Sequence, residues 1–246
     1  MERVEGRHAV EDLLRSGRRV ERVRVLDGAR PAGALDTIIA LARQSGVPVE
    51  MTGRRELDRD SERGAHQGVI AYAAPFRYTP LAEALAAVPA DRPSLIIALD
   101  HVTDPGNLGA VVRTADAVGA DAVLIAKDRA VAITPSAHKA AAGAAERVRV
   151  CREPNLVRAL ESAKEAGYWI AGASEQASEL AWEAPLEGRL VLVLGAEGGG
   201  LSRLVERACD LQVRLPVVGA VGSLNVSVAA AVLAYEWLRR TSPDDA

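Results

Sequence analysis

The chain alternates apolar and polar positions with two different periods, and this alternation first defines a small N-terminal unit. Apolar residues recur at helical spacing from Val4 to Ser16, which predicts a helix. Between Val20 and Val25 the valines alternate with charged residues, the pattern of a half-buried strand. A second helix and two further strands are predicted before residue 75. We therefore expect a small α/β domain over residues 1–74.

A proline-rich segment separates this unit from the rest of the chain. Proline disfavours helix continuation and stiffens connections, so residues 75–92 are predicted to form a linker around one short helix. Over residues 93–241, nearly continuous apolar strands alternate with helices. Such strands are typically buried on both faces, which predicts a parallel sheet with helices on either side.

Three loops of the second domain are unusually rich in glycine and polar residues. They read DHVTDPGNLG (100–109), GAEGGGLS (195–202) and PVVGAVGSLN (216–225), and each lies between an apolar strand and a helix. Open parallel sheets bind their ligands at the carboxyl ends of the strands. We therefore expect the three loops to converge on one binding site there.

The glycine-rich loop does not match the common nucleotide-binding patterns. A P-loop requires Gly-Lys-Ser/Thr, and the spacing from Gly195 to Gly198 does not fit the dinucleotide fingerprint G-x-G-x-x-G. A nucleotide-dependent oxidoreductase is therefore the least favoured function. Glu197 lies inside the loop, where a carboxylate suits a cation or a ribose hydroxyl better than a phosphate. The alternative is a tight turn with an incidental glutamate.

The first loop carries two polar side chains that have both structural and functional interpretations. Asn107 lies near a helix start and is either an N-cap or a site residue. Arg113 lies about two turns further and has Asp116 three residues away as a candidate ion-pair partner. Its apolar neighbours predict that Arg113 is buried, and a buried arginine needs an anion. We therefore favour a functional role for Arg113.

Composition narrows the class of protein without deciding it. The net charge of −3 gives no support for a passive nucleic-acid coat. The basic residues are mostly arginine, which suits phosphate recognition but is equally explained by coding bias. The two cysteines fit a reducing cytoplasm, and the scattered histidines predict no metal site. Because the chain starts with charged residues, we expect no signal peptide. Because it contains no long apolar run, we expect no membrane span.

At the level of whole motifs, the second domain resembles a known enzyme family. NLGAVVRTADAVGA, LVLGAEGGGLS and LPVVGAVGSLNVSVAAAVLAYE resemble the three motifs of the SpoU/TrmH family of RNA ribose 2′-O-methyltransferases in content, order and spacing. The N-terminal segments VEGRHAVEDLL and HQGVIA resemble the RNA-binding domain of the subgroup that methylates a guanosine of 23S rRNA. The resemblance implies a SPOUT-type parallel α/β sheet with a C-terminal trefoil knot, preceded by a small α/β RNA-binding domain.

The resemblance also implies a set of site residues. Arg113 is expected to stabilise the developing alkoxide and to grip an RNA phosphate, and whether it is itself the base stays open. Asn107, Ser223 and Asn225 are expected to orient that arginine and the target ribose by hydrogen bonds. Glu197 is expected to support this constellation or the cofactor side of the pocket. S-adenosylmethionine is expected to be held largely by backbone groups, at Ala173, Gly195, Leu215 and Leu224.

The implied function is transfer of a methyl group from S-adenosylmethionine to a ribose 2′-hydroxyl, in a guanosine of 23S rRNA. The enzyme is expected to be a cytoplasmic homodimer that uses no metal and no membrane. Three alternatives stay open: the same chemistry on tRNA, the same chemistry on an antibiotic-binding rRNA loop, and a non-catalytic RNA-binding assembly factor. His138 and Lys139 are expected to be solvated loop residues, with contact to RNA as the alternative.

Overall fold

The computed structural model describes residues 1–28, 33–61, 64, 66–219 and 222–241, which fall into two compact units. The first unit consists of Met1–Arg77 together with Ile133–Gly143. The second consists of Tyr78–Ala132 and the described chain from Ala144 onward. The domain boundaries predicted from the sequence (1–74, 75–92 and 93–241) stay a prediction. In the structure, Ile133–Gly143 lies inside the predicted second domain but packs with the first unit.

The secondary structure alternates strands and helices through both units. The strands are β1 Glu2–Glu5, β2 Val20–Leu26, β3 Val49–Thr52, β4 Val69–Ala73, β5 Ser94–Asp100, β6 Ala122–Ala126, β7 Arg149–Glu153, β8 Trp169–Ala173, β9 Glu179–Leu180, β10 Arg189–Gly195 and β11 Leu211–Arg214. The helices are α1 Arg7–Arg15, α2 Ala34–Gln44, α3 Arg54–Asp60, α4 Leu81–Ala86, α5 Pro105–Ala117, α6 Pro135–Ala140, α7 Leu156–Glu165, α8 Arg203–Ala208 and α9 Val226–Thr241, with a 3₁₀ turn at Ala144–Glu146.

The first unit is a four-stranded mixed sheet in the order β1-β4-β2-β3. The strand β4 runs antiparallel to both β1 and β2, whereas β2 and β3 are parallel. Apolar residues of α1 and α2, among them Leu13 and Ile38, pack with Val23 and Val25 on one face. The prediction of a helix starting at Val4 is wrong, because residues 2–5 pair with β4 and the helix begins at Arg7.

The helix α6 packs against α1 within this first unit. Lys139 Nζ lies 2.7 Å from Asp12 Oδ1, and the ring of His138 meets the edge of Phe76 at a centroid distance of 6.5 Å. His138 is fully buried. The prediction of solvated loop residues is therefore wrong for His138, which is a core residue. Lys139 is exposed as predicted, but it lies in α6 and pairs with Asp12.

The second unit contains a seven-stranded sheet in the order β7-β6-β5-β10-β8-β11-β9, in which every neighbouring pair is parallel. All seven residues of β5 are buried, as expected for a central strand covered on both faces. The helix α9 packs against β10 and β5 and against α5, which in turn contacts β6. The helices α4, α7 and α8 contribute to the core on the other side. The predicted α/β architecture with a parallel sheet is confirmed.

The last part of the chain returns across the sheet. After β11, near one end of the sheet, the chain leads to α9, which packs against the central strands β10 and β5. The connecting segment therefore passes the carboxyl ends of β8 and β10. This path places the third glycine-containing loop beside the second. No helix among the described residues is long and apolar enough to cross a membrane.

Candidate active site

The glycine-rich loop folds back on the end of β10 as a tight turn. Gly200 N–H donates to the carbonyl of Ala196 at 2.9 Å, and these two residues form an isolated antiparallel bridge. A Cβ on Gly195 would overlap the carbonyl group of Gly200. Gly198 and Gly200 adopt the left-handed backbone region with φ of 75° and 61°. The glycines are thus required by the turn, which presents Glu197 at its tip.

Glu197 accepts hydrogen bonds from two side chains that the other two loops supply. Its Oε1 atom lies 3.1 Å from Asn107 Nδ2 and 2.7 Å from Asn225 Nδ2. Asn225 Nδ2 also donates to Asn107 Oδ1 at 2.9 Å, which closes the network. Three residues predicted as site residues from separate motifs are therefore in direct contact. Glu197 Oε2 makes no hydrogen bond to a described residue and is free to accept one from a ligand.

Asn225 has a second role at the start of α9. Its Oδ1 atom accepts hydrogen bonds from Ser227 N–H at 2.9 Å and Val228 N–H at 3.4 Å, the geometry of an N-cap. The Ser227 hydroxyl donates to the same oxygen at 2.6 Å. One amide side chain therefore caps the helix with its oxygen and holds Glu197 with its nitrogen.

The N-cap of α5 is Asp104, not Asn107. Asp104 Oδ1 accepts from Asn107 N–H at 2.7 Å, so Asp104 is the N-cap and Asn107 lies in the first turn. The side chain of Asn107 is therefore available for the network. The interpretation of Asn107 as a cap is wrong for this reason.

A cavity of about 370 Å³ opens beside this network, at the carboxyl ends of β8, β10 and β11. Its volume lies within the range of small-molecule sites. Glu197 and Ser223 line it, as do all the residues predicted to hold the cofactor: Ala173, Gly195, Leu215 and Leu224. Ser223 is exposed, and its hydroxyl makes no hydrogen bond to a described residue. It belongs to the site through its position on the wall of the cavity.

Several charged residues that the motifs did not single out also line the cavity. Glu175 follows β8, Arg214 ends β11, and Glu206 lies on α8. The position of Glu175 and Arg214 at strand ends is a signal available in the sequence, whereas the position of Glu206 inside a helix is not. With Glu197, three carboxylates and one guanidinium surround the cavity, which suits a ligand that carries more positive than negative charge.

Arg113 does not lie where its sequence neighbours predict. The buried residues of α5 include Val111, Val112 and Ala115, whereas Arg113 turns out of that stripe and is exposed. It makes no hydrogen bond or ion pair to a described residue. Asp116 instead pairs with Arg147, whose Nη2 lies 2.6 Å from Asp116 Oδ2 and whose hydrogen bond lowers the pKa of that carboxyl.

Within this chain Asn107 and Asn225 hydrogen-bond to Glu197, and their orientation of Arg113 stays a prediction. The expectation that Arg113 is a buried cation is wrong. The physical reason is the helical step of about 100° per residue, which places a polar residue outside an apolar stripe even when its sequence neighbours are apolar.

Neither cysteine is available as a nucleophile. Both thiols are free, and burial raises the pKa of each to about 12, that of Cys151 and that of Cys209 alike. Such thiols are protonated at neutral pH and unreactive. Among the residues that the structure describes, no group of three or more His, Cys, Asp and Glu side chains is arranged to hold a metal ion.

The fold and the site together define an α/β domain that binds a small molecule at the carboxyl edge of a parallel sheet. A model described as the SpoU rRNA methylase family matches residues 94–235, which is more than half of the chain. The chain belongs to this family. A second model, described as RNA 2′-O ribose methyltransferase substrate binding, matches residues 3–79.

Named relatives cover nearly the whole chain. A protein of Pseudomonas putida named 23S rRNA (guanosine-2′-O-)-methyltransferase RlmB is 42% identical over 244 residues, covering 98% of this chain and 97% of the relative. The protein of the same name from Escherichia coli (strain K12) is 40% identical over 245 residues, with coverages of 98% and 99%. The solved structure of an AdoMet-bound rRNA methyltransferase from Sinorhizobium meliloti has a TM-score of 0.62 at 24% identity, covering 97% and 86%, and supports the fold alone.

Proposed function

We propose that the protein transfers a methyl group from S-adenosylmethionine to the 2′-hydroxyl of a guanosine in 23S rRNA. The observation that carries the proposal is the network in which Asn107 and Asn225 converge on Glu197 at the rim of the cavity. The names of the full-length relatives support the choice of rRNA as substrate.

The residues around the cavity fit S-adenosylmethionine. Backbone groups of Gly195 and Leu215, together with the side chain of Leu224, supply polar edges and an apolar wall for an adenosine. The carboxylates of Glu175 and Glu206 and the guanidinium of Arg214 complement the charges of the amino-acid part. When bound, the cofactor supplies a methyl group on a positively charged sulfur, which is already a good leaving group.

The side chains at the rim would position the ribose. Ser223 and the free Oε2 atom of Glu197 offer hydrogen-bond partners beside the cavity, and the two asparagines hold Glu197 in one orientation. Holding reacting groups in line is the main contribution that such a site makes to the rate. Because an arginine stays protonated, the proposed role of Arg113 is to stabilise the developing alkoxide and to bind an RNA phosphate.

We further propose that the protein is a homodimer whose subunits complete each other's sites. The face of α9 carries Val228 and Tyr235, which are 48% and 53% exposed, and Val218 in the preceding loop is 98% exposed. An apolar surface of this kind favours association. Arg113 is exposed on α5, the helix packed against α9, and makes no ion pair with a described residue. A second subunit at this surface would bring Arg113 within reach of the partner's site.

The same proposal includes a C-terminal trefoil knot, RNA binding by the N-terminal domain and a cytoplasmic location. The return of the chain from β11 to α9 past the glycine-rich turn supports threading of the C-terminal segment. The match of residues 3–79 supports RNA binding by the N-terminal domain. Two free thiols support a reducing cytoplasm.

Mapping of ribose methylation tests the proposal. We expect the 2′-O-methyl map of 23S rRNA from cells that lack the protein to miss one guanosine mark, which the intact gene restores and a Glu197→Ala gene does not. An unchanged 23S rRNA map alongside a lost mark in tRNA would contradict the assignment of the substrate. Unchanged maps of both RNAs would favour the non-catalytic alternative.

A further inference from the structure

Beside the proposed methyl-transfer site, the carboxyl edge of the sheet carries a group of cations with no assigned role. The strand β5 neighbours β10 on one side and β6 on the other, with Gly195 opposite Asp100 and Leu99 opposite Ile125. The residues that follow these strand ends are therefore level with each other. His101 follows β5, and Lys127 and Arg129 follow β6.

The two loops that carry these residues are held together. Val131 N–H donates to the carbonyl of Val102 at 2.9 Å, so the loop after β6 lies against the loop after β5. Lys127 N–H donates to the carbonyl of Glu153 at 2.8 Å, and an Arg152 Nη2 donor binds the carbonyl of Lys127 at 2.9 Å. The backbone under the cations is thus fixed on both sides.

The cationic side chains themselves remain uncommitted. Lys127 and Arg129 are both exposed, and neither side chain makes an ion pair or hydrogen bond to a described residue. Asp128, also exposed, lies between them and does not pair with either. Arg129 has a φ of 54°, a backbone conformation uncommon for arginine. Exposed arginine and lysine side chains on an ordered backbone suit the binding of phosphate groups.

His101 lies between these cations and the methyl-transfer site. Its Nδ1–H donates to the buried carboxylate of Asp100 at 2.5 Å, and the other oxygen of Asp100 accepts from Ser202 N–H at 2.6 Å. The imidazole is therefore anchored to the strand end, with its side chain 43% exposed and its Nε2 atom free of partners among the described residues. The loop then continues to Asp104 and Asn107.

We propose that the RNA backbone next to the target ribose crosses the carboxyl ends of β5 and β6, with its phosphates bound by Lys127 and Arg129 and a neighbouring ribose hydroxyl donating to Nε2 of His101. Neighbouring strands are about 4.8 Å apart, so the cations of β6 lie about 10 Å along the edge from the strand that ends at Gly195. The carboxylates line the cofactor cavity at the ends of β8, β10 and β11, whereas the cations follow β6, two strands from β10. This charge arrangement separates a cationic cofactor from an anionic strand. The inference rests on the proposed function.

The test compares two charge-matched double variants. The first variant carries Lys127→Gln and Arg129→Gln, which remove the proposed phosphate contacts. The control variant carries Arg149→Gln and Arg207→Gln, which remove two exposed cations elsewhere in the same unit. Binding of a 23S rRNA transcript is titrated at several salt concentrations for both variants and the wild type. S-adenosylmethionine binding by calorimetry checks that each variant is folded.

We expect the first double variant to bind RNA on the order of tenfold more weakly at 0.1 M salt, and the slope of log K against log salt to fall by roughly 1.4, the value for two phosphates of a single strand. Its KM for RNA should rise more than its kcat falls. The control variant should match the wild type in slope. Equal slopes and affinities for all three proteins, or an equal loss in the control variant, would overturn the inference. Wild-type protein that binds the transcript without methylating it would overturn the proposed function instead, while the slopes would still decide the binding surface.

Discussion

At the scale of single residues, Glu197 is the centre of the site. It joins the first and third motifs through one carboxylate oxygen, although Asn107 and Asn225 are 118 residues apart in the chain. The sequence predicts that the three residues share a site, because each lies in a loop at the end of a parallel strand. It does not predict which residue accepts the hydrogen bonds, since that depends on how the glycine-rich turn folds back.

Replacing Glu197 by glutamine tests this central position. The glutamine Oε1 atom can still accept from both asparagines, but the ligand-facing Oε2 acceptor becomes an amide NH₂, which donates and cannot accept. We expect kcat to fall by about 10²-fold, because the ribose loses the acceptor that positions it, with the melting temperature nearly unchanged. Steady-state kinetics and thermal unfolding measure the two effects.

Glu161→Gln provides the control, because Glu161 is an exposed glutamate on α7, away from the cavity. Surface substitutions of this kind change stability by no more than about 0.5 kcal/mol. If Glu197→Gln methylates RNA at the rate of the Glu161→Gln protein, Glu197 has no role in the reaction.

At the scale of secondary structure, the elements with a clear apolar period were predictable and the others were not. The strands β5, β6 and β10 are continuous apolar runs, and the sequence predicts them. The strand β1 was missed, because four residues with alternating charges resemble the first turn of α1. The helix α3 was missed because its sequence RRELDRD contains a single apolar residue. Its Leu57 is nevertheless fully buried against Ile70 and Tyr72, a tertiary contact that no local pattern predicts.

The glycine-rich turn is predicted to tolerate substitution at one position and not at another. Gly195→Ala places a methyl group onto the backbone of Gly200, so the turn must move and the cavity with it. We expect a loss of stability of about 1–3 kcal/mol, typical of overpacking, and loss of measurable S-adenosylmethionine binding. Thermal unfolding and calorimetric titration measure these quantities.

Gly199→Ala is the matched control in the same turn. A Cβ at Gly199 would meet no atom within 4 Å, and its φ lies outside the left-handed region. Stability and cofactor affinity of this variant should stay close to the wild type. Equal behaviour of the two variants would show that the turn does not shape the cofactor site.

The two roles of Asn225 in α9 can be separated by substitution. Asn225→Ala removes the cap and should cost about 1 kcal/mol of unfolding free energy together with activity. Asn225→Ser keeps an oxygen that can cap the helix but removes the amide donors to Glu197 and Asn107. We expect the serine variant to be the more stable of the two and still to lose activity, as measured by denaturant unfolding and kinetics. An active serine variant would show that the network is not needed.

At the scale of the whole molecule, the distribution of charge matters more than its sum. The net charge of −3 gives no sign of an RNA partner, yet carboxylates surround the cavity, while Lys127 and Arg129, which pair with no described residue, follow β6. The sequence also placed all residues after 93 in one domain, whereas Ile133–Gly143 packs with the first unit. An alanine-rich segment gives little local information about its packing partner, and the contact of α6 with α1 spans more than 100 residues of chain.

Identification of the methylated nucleoside decides whether the protein is a guanosine 2′-O-methyltransferase. Purified protein is incubated with a 23S rRNA transcript and S-adenosylmethionine carrying an isotopically labelled methyl group, and the RNA is digested to nucleosides and analysed by mass spectrometry. We expect label in 2′-O-methylguanosine alone, and none when the Glu197→Ala protein replaces the wild type. Label on a base, or in 2′-O-methyl derivatives of other nucleosides, would contradict this assignment, as would wild-type protein that binds S-adenosylmethionine and transfers no label.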